Sequence, residues 1–461
     1  MSKTKRIMAG ILAAAMMVPL AACGGGDNAV SGDVTKITLW RTNGHDKEFV
    51  QRKVKEFNDT IGKEEGIELE YVAKEGDLDQ LIDVAYTSGQ APDLYATNQL
   101  EARAQKGQIV AYDDIAGTEE IIEKYGDKAL ESRHSYNGKI YMLPVTSGTY
   151  GLVYNKQMFV DAGIVDENGE AKPPVTLAEL VEDAKLLTDA SKQQYGIIFP
   201  GKWDGWYMTD INFVSSASTG IVDGYNPQTG KFDYEQQAYV MDAMLQIKRD
   251  GSCVPGTEGF DNDPARARFA QGNIGMKIAG SYDVGVFTTQ FPAQIEWGVA
   301  PLPLIDENTK GMQYGSLDGL YAVNSESVER VGEDKIATVL NYFASDEYLI
   351  EQFKEGLSIP CDYELVKDVE VPDEMENWKT FASFTPFSQC PPVAVKTEMN
   401  GEKVMDKLWL DIWNEEPSLD ELKVILQEYQ DKVNAGIEVY QEEHPEYDPT
   451  PYIIKDWKLT R

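Results

Sequence analysis

The stretch Tyr136 to Ile164, YNGKIYMLPVTSGTYGLVYNKQMFVDAGI, decides the fold. Asn137-Gly138 is a tight-turn dipeptide, and Lys139 to Leu143 after it reads as a mostly apolar strand. Pro144 interrupts that strand. A proline donates no ladder hydrogen bond, so the run that continues through Gly148 and Gly151 into Leu152-Val153-Tyr154 is expected to leave one sheet and enter another. Such a run describes a crossing between two domains; a bulged edge strand within one domain is the alternative. After Asn155 the period changes, with Met158, Phe159 and Ala162 at helical spacing and Gly163 as a C-cap.

At the start of the chain, Lys3, Lys5 and Arg6 precede the uncharged run Ile7 to Ala22. An apolar stretch of that length falls short of the ~20 residues that span a bilayer, so residues 1–22 read as a secretory signal peptide. Leu20-Ala21-Ala22-Cys23 resembles the bacterial lipobox, which implies a lipidated Cys23 and a chain held at the membrane without spanning it. Residues 23–32, rich in Gly, form the flexible tether. Removing 22 residues from 461 leaves 439, enough for two domains with separate cores. The formal charge is −35, and loss of the three basic signal residues takes it to −38. Such a surface repels phosphate backbones, so nucleic acid is not an expected partner.

Cysteine and histidine are too sparse for a metal or disulfide framework. With Cys23 lipidated, Cys253, Cys361 and Cys390 allow one internal disulfide at most, and His45, His134 and His444 stand far apart. Neither a metal nor another cofactor is expected. Gly196 to Trp203, GIIFPGKW, comes within one residue of a phosphate-binding loop, but Trp203 stands where a hydroxyl must reach magnesium and Pro200 removes an N–H from the cradle. Lys310 likewise disqualifies Asp306 to Gly311 as a calcium loop.

Taken from Lys36 onward, strands alternate with helices. Lys36 to Arg41 is a first strand, a helix carries Phe49, Val50, Val54 and Phe57, Ile67 to Val72 is a second strand, Leu78 to Tyr86 is helical, and Ala91 to Thr97 begins a third strand. That alternation predicts α/β layering with a mainly parallel sheet, whose ligands sit at the carboxyl ends of strands, near Trp40 to Asn43 and Thr97-Asn98. Thr176 to Glu179 and Ser418 to Glu421 are capping boxes that open helices. The segment Pro200 to Asp210 reads as an aromatic-rich loop, with Trp203, Trp206 and Tyr207 beside Asp204 and Asp210. Flat rings cover the apolar face of a sugar while Asp, Asn, Ser or Arg groups bind its hydroxyls. For each ring taken alone, core packing is the competing reading.

The ordered set Lys36 to Trp40, Ala91-Pro92-Asp93-Leu94, Gly107 to Asp114, Gly138 to Pro144, Tyr154-Asn155-Lys156 with Ala162-Gly163-Ile164, and Phe269 to Gly272 with Gly280-Ser281-Tyr282 resembles family 1 extracellular solute-binding proteins. These are carbohydrate-binding subunits of ABC importers, related to maltose-binding protein. The resemblance implies a two-lobed, type II periplasmic-binding-protein-like α/β fold, each lobe a mainly parallel sheet flanked by helices. It places crossovers near Pro144 to Gly148, near Tyr314 to Gly319 and after about residue 370. Lobe I would hold 33–145 and 319–370, and lobe II 146–318 and 371–461.

On that footing Trp40, Trp203, Trp206 and Tyr282 are the expected stacking rings, Tyr282 standing where the family usually has a tryptophan. Arg41, Asn43, Asn98, Thr149, Asp283, Ser316 and Asp318 are the expected hydrogen-bonding groups. The expected function is a monomeric, lipid-anchored receptor on the outer face of the cell membrane. It captures a sugar or oligosaccharide by hinge closure and delivers it to an ABC permease. The same fold could instead take a peptide, polyamine or other small polar solute. A secreted carbohydrate-active enzyme using Asp204 and Asp283 is the remaining alternative. The tail after about residue 437 is longer than the family's usual one.

Overall fold

The computed structural model describes residues 34–372, 375–384, 386–387, 404–445 and 447–459. The expected signal peptide, Cys23 and its tether, and Cys390, lie outside the described residues. Four strands open the chain: β1 (Thr35–Thr42), β2 (Ile67–Lys74), β3 (Leu94–Tyr95) and β4 (Ile109–Val110). A small hairpin follows, β5 (Ser135–Tyr136) and β6 (Lys139–Ile140), and then the long β7 (Pro144–Asn155). Beyond it come β8 (Tyr195–Ile197), β9 (Tyr225–Asn226), β10 (Lys231–Phe232), β11 (Ile274–Gly280) and β12 (Trp297–Ala300). The last are β13 (Gln313–Gly319), β14 (Ala322–Asn324), β15 (Ile359–Pro360) and β16 (Pro386–Phe387).

The first sheet runs β2-β1-β3-β14-β4. β1 lies parallel to β2 over its whole length and parallel to β3, as the alternation of strands and helices requires. Ile37 and Leu39 point into the core from one face of β1 and meet Phe57, Leu69, Tyr112 and Leu340. The late strand β14 enters antiparallel between β3 and β4, so a segment more than 200 residues downstream completes this sheet.

Everything in the second sheet is built on β7. Its first half pairs with β13 and β15, its second half with β11 and β12, and all four partners run antiparallel. Among the described residues only β8 with β11 and β13 with β16 are parallel in this sheet, so the two-lobed α/β fold stands but its sheets are mixed rather than mainly parallel. The expected interruption at Pro144 is instead a beginning: β7 starts on the proline and continues for 12 residues, buried at every position but Tyr154. A proline is tolerated as the first residue of a strand because no ladder donor is needed there. Lys139-Ile140 belongs to a separate hairpin, whose Asn137 and Gly138 both have positive φ (51° and 72°).

β7 is the crossing element. Val145, with Leu143 just before the strand, lies in the first core; Tyr150 and Leu152 lie in the second; Val153 lies in a third beside it. β13 makes the return beside it, from Tyr314 in the second core toward Leu320 in the first, with Thr149 opposite Gly315 and Thr146 opposite Asp318. The helix Asp346–Lys354 places Tyr348 and Leu349 in the first core but Phe353 in the third, with Ile359 and Val366. Both capping boxes form, at Thr176 and Ser418. Cys253 and Cys361 are free thiols, pushed up to about 11 and about 12 by burial.

Candidate functional site

Between the lobes lies a cleft of about 830 Å³, with Thr146 and Asp318 of the two crossing strands among its lining. One wall comes from loops at the carboxyl ends of β1 and β3. Arg41 lies at the end of β1 and Asn43, His45 and Asp46 follow it, while Thr97 and Asn98 follow β3. The opposite lobe contributes Trp203 and Asp204. Gly205 seats that indole, since a Cβ there would come within 2.5 Å of the ring.

The polar groups of the wall are held before any ligand arrives. Arg41 Nη1 lies 2.8 Å from Asp46 Oδ2, with both side chains largely buried. Burial opposes charge on each partner. The ion pair outweighs it, raising the Arg41 pKa and lowering that of Asp46. Asn43 donates to Glu75 Oε1 at 2.6 Å. Arg133 donates to Asn98 Oδ1 at 3.1 Å and lies 3.9 Å from Asp318. Half of the Asp318 side chain is reachable by water, and it lines the cleft with the Arg41–Asp46 pair. Desolvation raises its pKa, against the pull of Arg133 and Arg41.

Of the residues expected at the site, Arg41, Asn43, Asn98, Trp203 and Asp318 line this cleft. Tyr282 and Ser316 stand behind it. Tyr282 packs 6.2 Å from the ring of His45 and carries Arg266 over its face, and Ser316 bonds to the buried Tyr150. Four more lie outside the lining. Trp40 and Arg41 are successive residues of β1 and so face opposite ways; Trp40 lies outside the cleft lining, under Lys74 Nζ at 3.4 Å. Trp206 is 3% exposed, packed against Trp409 and Trp413, because the segment Tyr207–Asn212 is helical rather than a loop and turns its aromatic flank inward. Thr149 is fully buried and donates to the carbonyl of Phe381 at 2.8 Å, which makes it a hinge strut. Asp283 is 1% exposed and paired with Arg266 at 2.6 Å, so it does not share the cleft with Asp204.

Sequence reasoning missed His45, Asp46, Arg133 and Tyr321. The first two had a signal, since they follow Asn43 in the same polar loop. Arg133 and Tyr321 reach the cleft through tertiary packing alone.

A fold of two lobes around a lined cleft, joined by paired crossing strands, defines a solute-binding class of protein. Residues 42–349 match the family model for bacterial extracellular solute-binding proteins, and the chain belongs to that family. It is 24% identical over 305 residues to the maltotriose-binding protein of Pyrococcus abyssi, covering 65% of this chain and 61% of that one. It is 26% identical over 215 residues to the diacetylchitobiose binding protein DasA of Streptomyces coelicolor, covering 44% and 47%. The chain thus spans less than two thirds of the length of these relatives. Among solved structures it is similar to the GacH receptor of Streptomyces glaucescens, with a TM-score of 0.67 at 17% identity over 90% of this chain and 99% of that one.

Proposed function

We propose that this protein binds a sugar or oligosaccharide between its lobes, closes around it, and presents the closed form to an ABC permease from a lipid anchor at Cys23. The observation that carries the reading is the composition of the cleft. One lobe supplies the indole of Trp203, the other supplies Arg41, Asn98 and Arg133, and Asp318 lies on the crossing strand between them. A ligand that touches both walls binds the shut state better than the open one and therefore shifts the lobes toward closure. The names of the relatives, binders of maltotriose and of diacetylchitobiose, point to the same ligand class. A lipid-anchored monomer with lobes joined at β7 and β13 completes the proposal.

A second reading, a cationic solute such as a polyamine, has one observation in its favour. Asp77 and Asp204 line the cleft besides Asp46, Asp79 and Asp318, which are paired with arginine. The melting temperature of the soluble chain from Asp27 onward, measured against mono- and oligosaccharides, peptides and polyamines, separates the two. A ligand at 100 times its Kd stabilises by about 2.7 kcal/mol. A selective sugar response supports the proposal; silence to every sugar with a response to spermidine replaces it by the second reading.

A further inference from the structure

The chain does not stop at the end of its long last helix, Leu419–Glu443. It turns back along the second lobe, with Tyr447 edge-on to Tyr440 and close to the ring of Tyr452. This segment is fastened at its far end. The Ile454 N–H donates to the Pro227 carbonyl at 2.8 Å, and Trp457 Nε1 donates to the Gly220 carbonyl at 2.9 Å. Gly220 has a φ of 74°, and a Cβ there would come 3.1 Å from the Lys458 carbonyl, so this position requires glycine for both its backbone and its neighbour.

Between these anchors Tyr452 reaches the first lobe. Its ring belongs to the core of the second lobe, yet its hydroxyl lies 2.5 Å from Ser132 Oγ of the first lobe. Ser132 Oγ donates to Glu101 Oε2 at 2.9 Å, which leaves its lone pairs to accept from Tyr452. The order of donation is therefore Tyr452 to Ser132 to Glu101. Ser132 has a φ of 63°, a left-handed conformation that a non-glycine residue keeps only when its surroundings impose it. The next residue, Arg133, enters the cleft, and Asn98, which it contacts, lies just before the helix Leu100–Gln105 that carries Glu101.

We propose that residues 447–459 form an inter-lobe strap, with Tyr452 as a positioning residue that holds the Ser132 turn and thereby sets Arg133 against Asn98 and Asp318. The strap joins the lobes away from the crossing strands, so their separation and the placement of the Arg133 head are coupled. Its role toward ligand rests on the binding function proposed above; the contact itself does not.

The test uses the ligand-free chain from Asp27 onward and the variants Tyr452→Phe, which keeps the ring, and Ser132→Ala, which removes the hydroxyl from the other side. Hydrogen exchange at residues 130–136 should quicken by about three- to tenfold in both, the scale of one lost hydrogen bond. X-ray scattering should show a larger radius of gyration for both variants than for wild type. Unchanged exchange at 130–136 and unchanged scattering in both variants would overturn the strap, whatever the ligand panel shows. A silent sugar panel with faster exchange would count against the sugar reading alone. Should one variant fail to fold, the other gives the same readout from the opposite partner.

Discussion

Trp203 and Trp206 stand three residues apart and have opposite fates. Trp203 faces the cleft from a loop, and Trp206 is enclosed by Phe199, Trp409 and Trp413. Trp203→Ala should therefore weaken ligand binding about tenfold or more while changing the melting temperature of the free chain far less than Trp206→Ala does, because stacking on a half-buried ring at the cleft contributes about 1 kcal/mol or more to binding. Trp206→Ala should cost ~3–5 kcal/mol of stability, read by denaturant unfolding, since it opens a cavity in the second core. Titrating groups give a second residue-scale expectation. Burial, helped by Arg133, pushes His134 down to about 3, against a backbone contact from Leu317. The unfolded imidazole takes up a proton near 6.5 and the folded one refuses it, so stability that is full above about pH 6.5 is lost as pH falls toward 3. Asp210 works in the opposite sense. Burial pushes it up to about 7 against Lys277, so its contribution is present below about pH 3.8 and lost as pH rises through 7. Melting curves from pH 4 to 8 should accordingly lose their acid-side fall in His134→Asn and their neutral-side fall in Asp210→Asn.

Among the elements, the capping boxes and the Asn137-Gly138 turn were legible because each depends on residues within four positions of one another. The continuity of β7 was not legible. Its Pro144 reads locally as a break, and only the pairing with β13, from a segment more than 150 residues away, makes it a strand start. The approach of the helix Leu177–Leu186 to β8 is equally non-local. A Cβ on Gly196 would stand 2.0 Å from the Ala184 carbonyl, so Gly196 is the residue that lets helix and strand touch. Gly196→Ala should destabilise by ~1–3 kcal/mol, as overpacking does elsewhere, and thermal unfolding of the purified variant measures it. If the melting temperature is unchanged, the helix has room to move and the close packing described here is not required.

For the whole molecule, two cores are joined by two crossing strands, and the proposed function predicts closure about them. A saturating sugar should reduce the radius of gyration in solution scattering, and binding should change little between low and high salt, because a neutral ligand brings no charge to screen. A cationic ligand recognised by Asp77 and Asp204 would instead bind more weakly as salt is raised. The acidic composition of the chain does not decide between these outcomes, since most of its carboxylates lie on solvated surface rather than in the cleft.

The α/β alternation followed from residue patterns, and the two-lobed organisation from the crossing read at Pro144 and the family resemblance. Strand period, turn residues and caps are short-range properties, and loops after parallel strands must gather at one edge of a sheet. That is why Arg41, Asn43 and Asn98 could be named from position. Tertiary structure alone decided which rings face the cleft and which the core. The place of Trp206 depends on Trp409 and Trp413, some 200 residues along the chain, and that of Arg133 on a turn contacted by Tyr452 of the other lobe. A side chain's destination is set by what packs against it, and the packing partners of these residues come from parts of the chain that no local pattern connects to them.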